Sequence, residues 1–305
     1  MNAPRHVLTI QSHVAYGHVG NAAAVFPLQR LGLSPVAIHT VQFSNHTGYG
    51  EFKGQVFSAL HVLEVLDGLR ARGVLARCDA VLSGYLGDAA IGEAILQAVA
   101  EVKAARGEVL YCCDPVMGDV GRGLFVRPGI PEFHRDRAVP QADLITPNQF
   151  EFEQLIGRPV VSRDDAVTAA RSLGPKAVVI TSLRTPDVRP DTLETLAVTR
   201  EQAWTVSTPF VPLTPLPNGM GDVFSALLLG RLLCGDALPE ALSHAVSVLY
   251  ALVLRTPGGS RDLPLVAEQA QLIEPQQRFE AVAFQVLSAL SGPGSPTGPL
   301  TGSLL

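Results

Sequence analysis

Charge is what this chain has least of. Only 17% of its 305 residues are Asp, Glu, Lys or Arg, against about 25% in an average soluble domain, so polar chemistry must rest largely on uncharged groups. The 28 acidic and 23 basic residues leave a net charge of -5. The basic ones are scattered, so the stripe that grips a phosphodiester backbone is missing and nucleic acid is not an expected partner. No apolar run reaches the ~18 residues that suggest a bilayer span, and no membrane association is expected. The opening MNAPRHVLTIQSH enters a strand-like segment without an h-region or cleavage site, and the expected location is cytoplasmic. Cysteine is scarce too: Cys78, Cys112, Cys113 and Cys234 form no C-x-x-C pair, so buried, reduced thiols are expected. Cys112 and Cys113, as neighbours in a strand, should face opposite sides of a sheet. His13 and His18 have no third ligand at a standard spacing, which argues against a metal there.

Several motifs are also missing. There is no G-x-x-x-x-G-K-[ST], no G-x-G-x-x-G after the first strand-like segment and no G-x-S-x-G. A P-loop NTPase is thereby excluded, and a dinucleotide enzyme or an α/β-hydrolase is disfavoured.

What is present is an alternation of short β-rich runs with longer segments of helical period, the pattern of a parallel sheet covered by helices. Strands are predicted at Val7–Gln11, Pro35–Val41, Ala80–Gly84, Val109–Asp114, Leu144–Thr146 and Ala177–Ser182. A helix over 51–73 should bury Val56, Leu60, Leu63, Leu66 and Leu69, and one over 88–107 should bury Ile91, Ile95, Ala98 and Val102. A short strand then leads into four prolines within Pro209–Pro217, which reads as a loop. Two apolar helices follow, Gly221–Leu233 and Pro239–Leu254. No repeat or internal linker divides the chain, so residues 1–288 are expected to form one domain. In the final SGPGSPTGPLTGSLL, 12 of 15 residues are Gly, Pro, Ser or Thr, and a disordered tail over 289–305 is expected.

In an open α/β sheet, ligands bind beyond the carboxyl ends of the strands, so the loops there carry the functional information. QSHVAYGHVGN follows the first strand and places glycines where backbone can approach a ligand. VQFSNHTGYG sets Ser44, Asn45, His46 and Thr47 between Phe43 and Tyr49, which suits a flat polar ring or, equally, a capped turn. YCCDPVMGD ends a strand in Asp114, a residue placed either to hold hydrated Mg²⁺ or to cap a helix. ITPNQFEFE puts Asn148 and Glu151 on one helix face, as ligand groups or as a capping box. The strongest signal is PNGMGDVFSALLLG. Gly219, Met220 and Gly221 precede an apolar helix, so their amides converge with the positive end of the helix dipole as an anion hole. Asp222, in the first turn, either caps that helix or works on a ligand. Amides that stabilise a transferring phosphoryl group, beside a carboxylate that takes the proton of the attacking hydroxyl, are the parts of a phosphotransferase.

IQSHVAYGHVGN, VQFSNHTGYG, GQV, DAVLSGYLG, CDPVMGD, ITPNQFE, VVITS and GMGD stand in the order found in pyridoxal kinases of the ribokinase-like superfamily. The resemblance covers about residues 6–285, and QFSNHTGYG distinguishes it from the sugar kinases. It implies a three-layer αβα sandwich with a mostly parallel central sheet, and ATP-dependent phosphorylation of the 5′-hydroxymethyl group of pyridoxal, with pyridoxine and pyridoxamine as further candidate substrates. By this likeness Ser12, Val19, Val41, Phe43, His46, Thr47, Gly48 and Tyr85 would form the substrate pocket with Asp222 as general base, while Gly219, Met220 and Gly221 would stabilise the γ-phosphoryl group. Asp114 and Glu151 would organise Mg²⁺ through water, near Asn148. Thr146, Thr181, Ser182, Thr208, Pro209, Phe210 and Val211 would lie along ATP with Gly221. A monovalent cation such as K⁺ and a homodimer are compatible with the same likeness.

Two departures stand out. Met220 replaces the family's threonine, removing a hydroxyl and keeping the amide. Leu124 stands where some relatives carry a cysteine, so no thiohemiacetal with a substrate aldehyde is expected. A hydroxymethylpyrimidine kinase of the same superfamily is the nearest alternative, but such enzymes typically carry cysteine where Asp222 stands. A non-catalytic B6-vitamer-binding protein is a further alternative, disfavoured by the intact Asp222, glycine turn and Asp114.

Overall fold

A computed structural model describes residues 5–285, so the expected tail over 289–305 lies outside the described residues. Alternation of apolar and turn-forming segments resolves into β1 (His6–Val14), α1 (Asn21–Arg30), β2 (Ser34–Phe43), β3 (Gly54–Val56), α2 (Ala59–Ala71), β4 (Cys78–Ser83), α3 (Ala89–Arg106) and β5 (Leu110–Cys113). A small hairpin follows, β6 (Gly118–Asp119) and β7 (Gly123–Leu124), then α4 (Ile130–Phe133), β8 (Leu144–Ile145), α5 (Gln149–Ile156), α6 (Arg163–Ser172) and β9 (Ala177–Leu183). The remainder is β10 (Thr192–Thr199), β11 (Ala203–Pro209), α7 (Met220–Cys234), α8 (Leu238–Leu254) and β12 (Val282–Ala283).

Ten strands build one sheet in the order β12-β11-β10-β9-β8-β5-β4-β1-β2-β3. The run from β2 to β9 is parallel, while β3 on one edge and β10 to β12 on the other pair antiparallel. All six predicted strands lie in the parallel part. The hairpin β10–β11 was missed as a unit, because only its second strand precedes the prolines.

Side-chain alternation explains how one sheet carries two helix layers. Leu8, Ile10, Val81, Tyr111, Cys113, Ile145, Val178 and Ile180 face one core with α2, α3, α5 and α6. Val7, Ala80, Leu82, Cys112, Leu144 and Val179 face the other with α1, α7 and α8. Cys112 and Cys113 thus do point to opposite faces. Cys78 is buried as expected, but Cys234 is exposed, because it closes the last turn of α7.

The stripe on 88–107 is buried throughout on α3. That on 51–73 needs correction. Val56 belongs to β3 and pairs with Val41, Ser58 caps the helix by accepting the His61 N–H, and Leu60 is 65% exposed. The helix that starts at this cap buries Leu66 as expected and Val62 in addition, with Leu63 and Leu69 packed partly against the core.

Candidate active site

The carboxyl ends of the parallel strands open on a cleft of about 1830 Å³. Small-molecule sites usually occupy up to about 1,000 Å³, so there is room for two ligands side by side. At the β1–β2 end its wall includes Ser12, Val19, Val41, Phe43, His46, Thr47 and Tyr85. Gly48 is not on this wall; its N–H donates to His46 Nδ1 at 3.1 Å. A backbone N–H can only donate, so His46 Nδ1 is the acceptor and Nε2 carries the proton. Burial, with help from the Arg122 and Arg261 charges and against Asp262, lowers the His46 pKa to about 4, keeping the ring neutral.

The opposite end is lined by Thr181 and Ser182 near the carboxyl end of β9 and by Thr208, Pro209, Phe210 and Val211. Ser182 adopts φ 57°, a left-handed conformation that costs a non-glycine residue roughly 1 kcal/mol or more and tends to occur at functional sites. Val246, Leu249, Tyr250 and Val253 of α8 complete this apolar end. Sequence reasoning did not assign them; their spacing of i, i+3, i+4 and i+7 gave a core-like face, and only packing shows that this face looks into the cleft.

Between the two ends lie Asp114, Thr146, Asn148, Glu151, Gly219, Met220, Gly221 and Asp222. Gly219 precedes α7 at φ 79°, and a Cβ there would stand 2.0 Å from the His18 carbonyl oxygen. Only glycine fits. The Met220 side chain packs against the core beneath α7, so the replaced threonine costs a hydroxyl and leaves the turn intact. Asp222 does not cap its own helix, since no side-chain cap forms at the start of α7. Burial, offset in part by the nearby Gly20 N–H, pushes its pKa to about 6.

Glu151 resolves the open choice at the start of α5: Asn148 and Glu151 do form a capping box, and the glutamate does more. Its Oε2 accepts the Asn148 N–H at 2.9 Å, and its Oε1 accepts the Met117 N–H at 2.9 Å and, more weakly, the Gly118 N–H at 3.5 Å. Asp114 is not a helix cap. Its Oδ2 accepts the Ser225 hydroxyl at 3.1 Å, and Ser225 is 2.8 Å from Thr146 Oγ1. Ser225, one turn beyond Asp222 on α7, thus links Asp114 to Thr146; sequence reasoning missed it because its spacing reads as core. Burial above all, then the Glu151 and Asp222 charges, raise the Asp114 pKa. Burial likewise raises that of Glu151, opposed by its three N–H donors. Two buried carboxyl groups, Asp114 and Glu151, with the half-buried Asp222 acting on Asp114, are a set that a cation would stabilise. Asp114 retains a free oxygen for direct or water-mediated contact. Both Glu151 oxygens are occupied by backbone, which suits a role through the hydration shell.

The anion-hole turn is tied to the first loop and to the segment before β12. Asn218 donates its N–H to the Arg261 carbonyl at 2.8 Å and its Nδ2 to the same oxygen at 3.2 Å. Asp262 Oδ1 accepts the His18 N–H at 3.3 Å. Leu124, on β7, is 48% exposed.

The chain matches the family model described as phosphomethylpyrimidine kinase over residues 66–260. It is 56% identical over 279 residues to the pyridoxal kinase PdxY of Rubrobacter xylanophilus, covering 90% of this chain and 96% of that one. It is 50% identical over 286 residues to the PdxY of Deinococcus radiodurans, covering 91% and 96%. Among solved structures it resembles the pyridoxal kinase of Leishmania donovani in complex with ADP and pyridoxamine, with a TM-score of 0.85, 33% identity and coverage of 92% and 100%.

Proposed function

The chain belongs to the pyridoxal kinase family, and from that premise we propose that it transfers the γ-phosphoryl group of ATP to the 5′-hydroxymethyl oxygen of pyridoxal, giving pyridoxal 5′-phosphate in vitamin B6 salvage. The observation that carries this reading is the placement of Asp222. A carboxylate with a pKa near 6 lies at the glycine-capped start of α7, between a pocket with aromatic walls and a second, apolar pocket in the same cleft. A base is most useful when its pKa lies near the working pH.

In this assignment the β1–β2 end takes the pyridine ring, with Ser12, Thr47 and the His46 Nε2–H as polar partners among Val19, Val41, Phe43 and Tyr85. Asp222 accepts the proton of the 5′-hydroxyl as its oxygen forms the new bond to the γ-phosphorus and the bond to the ADP oxygen breaks. Amides of Gly219, Met220 and Gly221, at the positive end of α7, take up charge on the phosphoryl oxygens. Nucleotide lies toward Thr181, Ser182 and Thr208 to Val211, with α8 beneath it. Asp114 and Glu151 would hold Mg²⁺ near Asn148 and Thr146, supplying positive charge beside the phosphates. The loop 209–217 would cover the nucleotide and exclude water. Residues 1–288 act as one kinase unit in this reading, and a homodimer in the cytoplasm follows from the family likeness, as does room for K⁺. No helix among the described residues is long and apolar enough to cross a membrane.

The test is ADP release coupled to a reporter, with pyridoxal, pyridoxine, pyridoxamine and hydroxymethylpyrimidine offered in turn. Turnover with pyridoxal well above that with hydroxymethylpyrimidine is expected. The reverse order would assign the chain to pyrimidine phosphorylation, and no turnover with any of them would overturn the kinase reading.

A further inference from the structure

Most guanidinium groups near the sheet ends are neutralised by carboxylates. Arg127 pairs with Asp88 at 3.2 Å, Arg137 with Glu93 at 2.9 Å and Arg163 with Asp187 at 2.9 Å. Arg122, in the turn of the β6–β7 hairpin, is different. It lines the cleft, and among the described residues no carboxylate stands within ion-pair distance of it; its guanidinium lies over the Phe125 ring at 5.2 Å, as that of Arg184 lies over Phe210 at 4.1 Å at the far end of the cleft. Its Nη2 is 3.7 Å from the point where a Gly48 side chain would start, so the charge faces the His46–Gly48 segment from across the pocket mouth. Arg261 also acts on this segment, lying 6.0 Å from the Tyr49 ring centroid, but Asp262 adjoins it and offsets its field at His46. Asp119, the acid on the same hairpin, acts on Glu151 toward the middle of the cleft. Arg127 carries its own counter-ion. The uncompensated charge at the ring-binding end is therefore Arg122.

We infer that Arg122 is a specificity-determining residue that ranks B6 vitamers by charge, favouring those with an uncharged aldehyde or hydroxymethyl group on the ring over the one with an aminomethyl group, protonated at neutral pH. The inference rests on the kinase reading above and extends it to substrate choice. A second positive charge brought within ~7 Å of the guanidinium, across a partly wet pocket mouth, is disfavoured by roughly tenfold. Pyridoxal and pyridoxine escape this repulsion, whereas pyridoxamine does not. Because the effect is Coulombic at an exposed residue, salt should weaken it.

The experiment compares kcat/KM for pyridoxal, pyridoxine and pyridoxamine in the wild type and in Arg122→Ala, Arg122→Lys and Arg122→Glu, at low and high ionic strength. Ratios between substrates within one preparation are independent of how much of the protein is folded, so a partly unfolded variant still reports. The wild type should prefer pyridoxal to pyridoxamine. Arg122→Ala should lower that preference by roughly tenfold, Arg122→Glu should lower it further, and Arg122→Lys should keep it. The pyridoxal-to-pyridoxine ratio should stay within about twofold throughout, being independent of charge. Equal losses on all three vitamers, or pyridoxine moving with pyridoxamine, would overturn the inference. A wild type that phosphorylates none of the three is a separate outcome, the failure of the kinase reading itself.

Discussion

At the scale of single residues, the general-base role proposed for Asp222 carries a cost. Its carboxyl is held near a pKa of about 6 in the fold, above its ordinary range, so activity should rise with pH as it ionises. The acidic limb of log kcat/KM for pyridoxal is expected near pH 6, and a limb near pH 4 in a full pH profile would contradict the assignment of Asp222 as base. The same shift acts on stability. A carboxyl whose pKa is raised on folding contributes stability that is complete below its unfolded pKa and is lost as pH rises through its folded value. At about pH 8 the ionised Asp222 therefore destabilises the fold by roughly 1–2 kcal/mol, allowing for contact with solvent in the cleft. Asp222→Asn should lower kcat at least ~10²-fold, with KM for pyridoxal little changed. By thermal melting it should also be more stable than the wild type by a few degrees at about pH 8, a gain that disappears by about pH 4. A melting difference of the same size at both pH values would refute the linkage. Asp222 was legible in the sequence because its neighbours in the chain, Gly219 to Gly221, are also its neighbours in space.

At the scale of elements, the start of α7 depends on segments distant in sequence. The His18 carbonyl abuts Gly219, Gly20 lies close to Asp222, and Asp262 holds the His18 N–H of the same loop. Loss of this tether should loosen the loop that orients the base. Asp262→Ala is expected to reduce kcat about tenfold with KM for pyridoxal within a few-fold, since small misplacements act on the transition state more than on binding. Asp262→Asn keeps an acceptor and should retain most of the activity; steady-state kinetics on the two variants checks both. None of this was readable in GGSRD, which has no motif of its own. By contrast, the Asn148–Glu151 capping box was legible as a local pattern, while the Met117 and Gly118 N–H groups that also bind Glu151 come from the β5–β6 connection. The extent of α2 failed for a related reason. Ser58 sets the start of the helix and β3 claims Val56, so a stripe counted across both elements fell partly on solvent.

At the scale of the whole molecule, the cleft runs across the sheet from β2 to β11, with the carboxyl groups at its middle and, in the proposed reading, the vitamer on one side and the nucleotide on the other. A ligand that bridges α7, α8, β9 and β11 should stabilise the whole fold, because it binds the native state alone. MgATP at about 100 times its Kd should contribute about 2.7 kcal/mol and raise Tm by about 5 °C. Chelation of the metal with EDTA should abolish most of this gain and the kinase activity together. A nucleotide shift that survives EDTA undiminished would argue against Mg²⁺ at Asp114 and Glu151.

The sequence by itself determined the alternating α/β architecture, the six parallel strands, the anion-hole turn and the carboxylates Asp114, Glu151 and Asp222, because each is written in residues a few positions apart. Period-two strands, glycine turns and helix starts are local physics. Only the tertiary structure decided which helix faces become cleft wall, as with Leu249, Tyr250 and Val253. It alone also decided which buried serine steadies Asp114, which loop glycine lies beside Asp222, and that Arg122 faces the β1–β2 end of the cleft without a counter-ion among the described residues. Those relations join segments tens to hundreds of residues apart, and no periodicity within one segment encodes how its surface meets another.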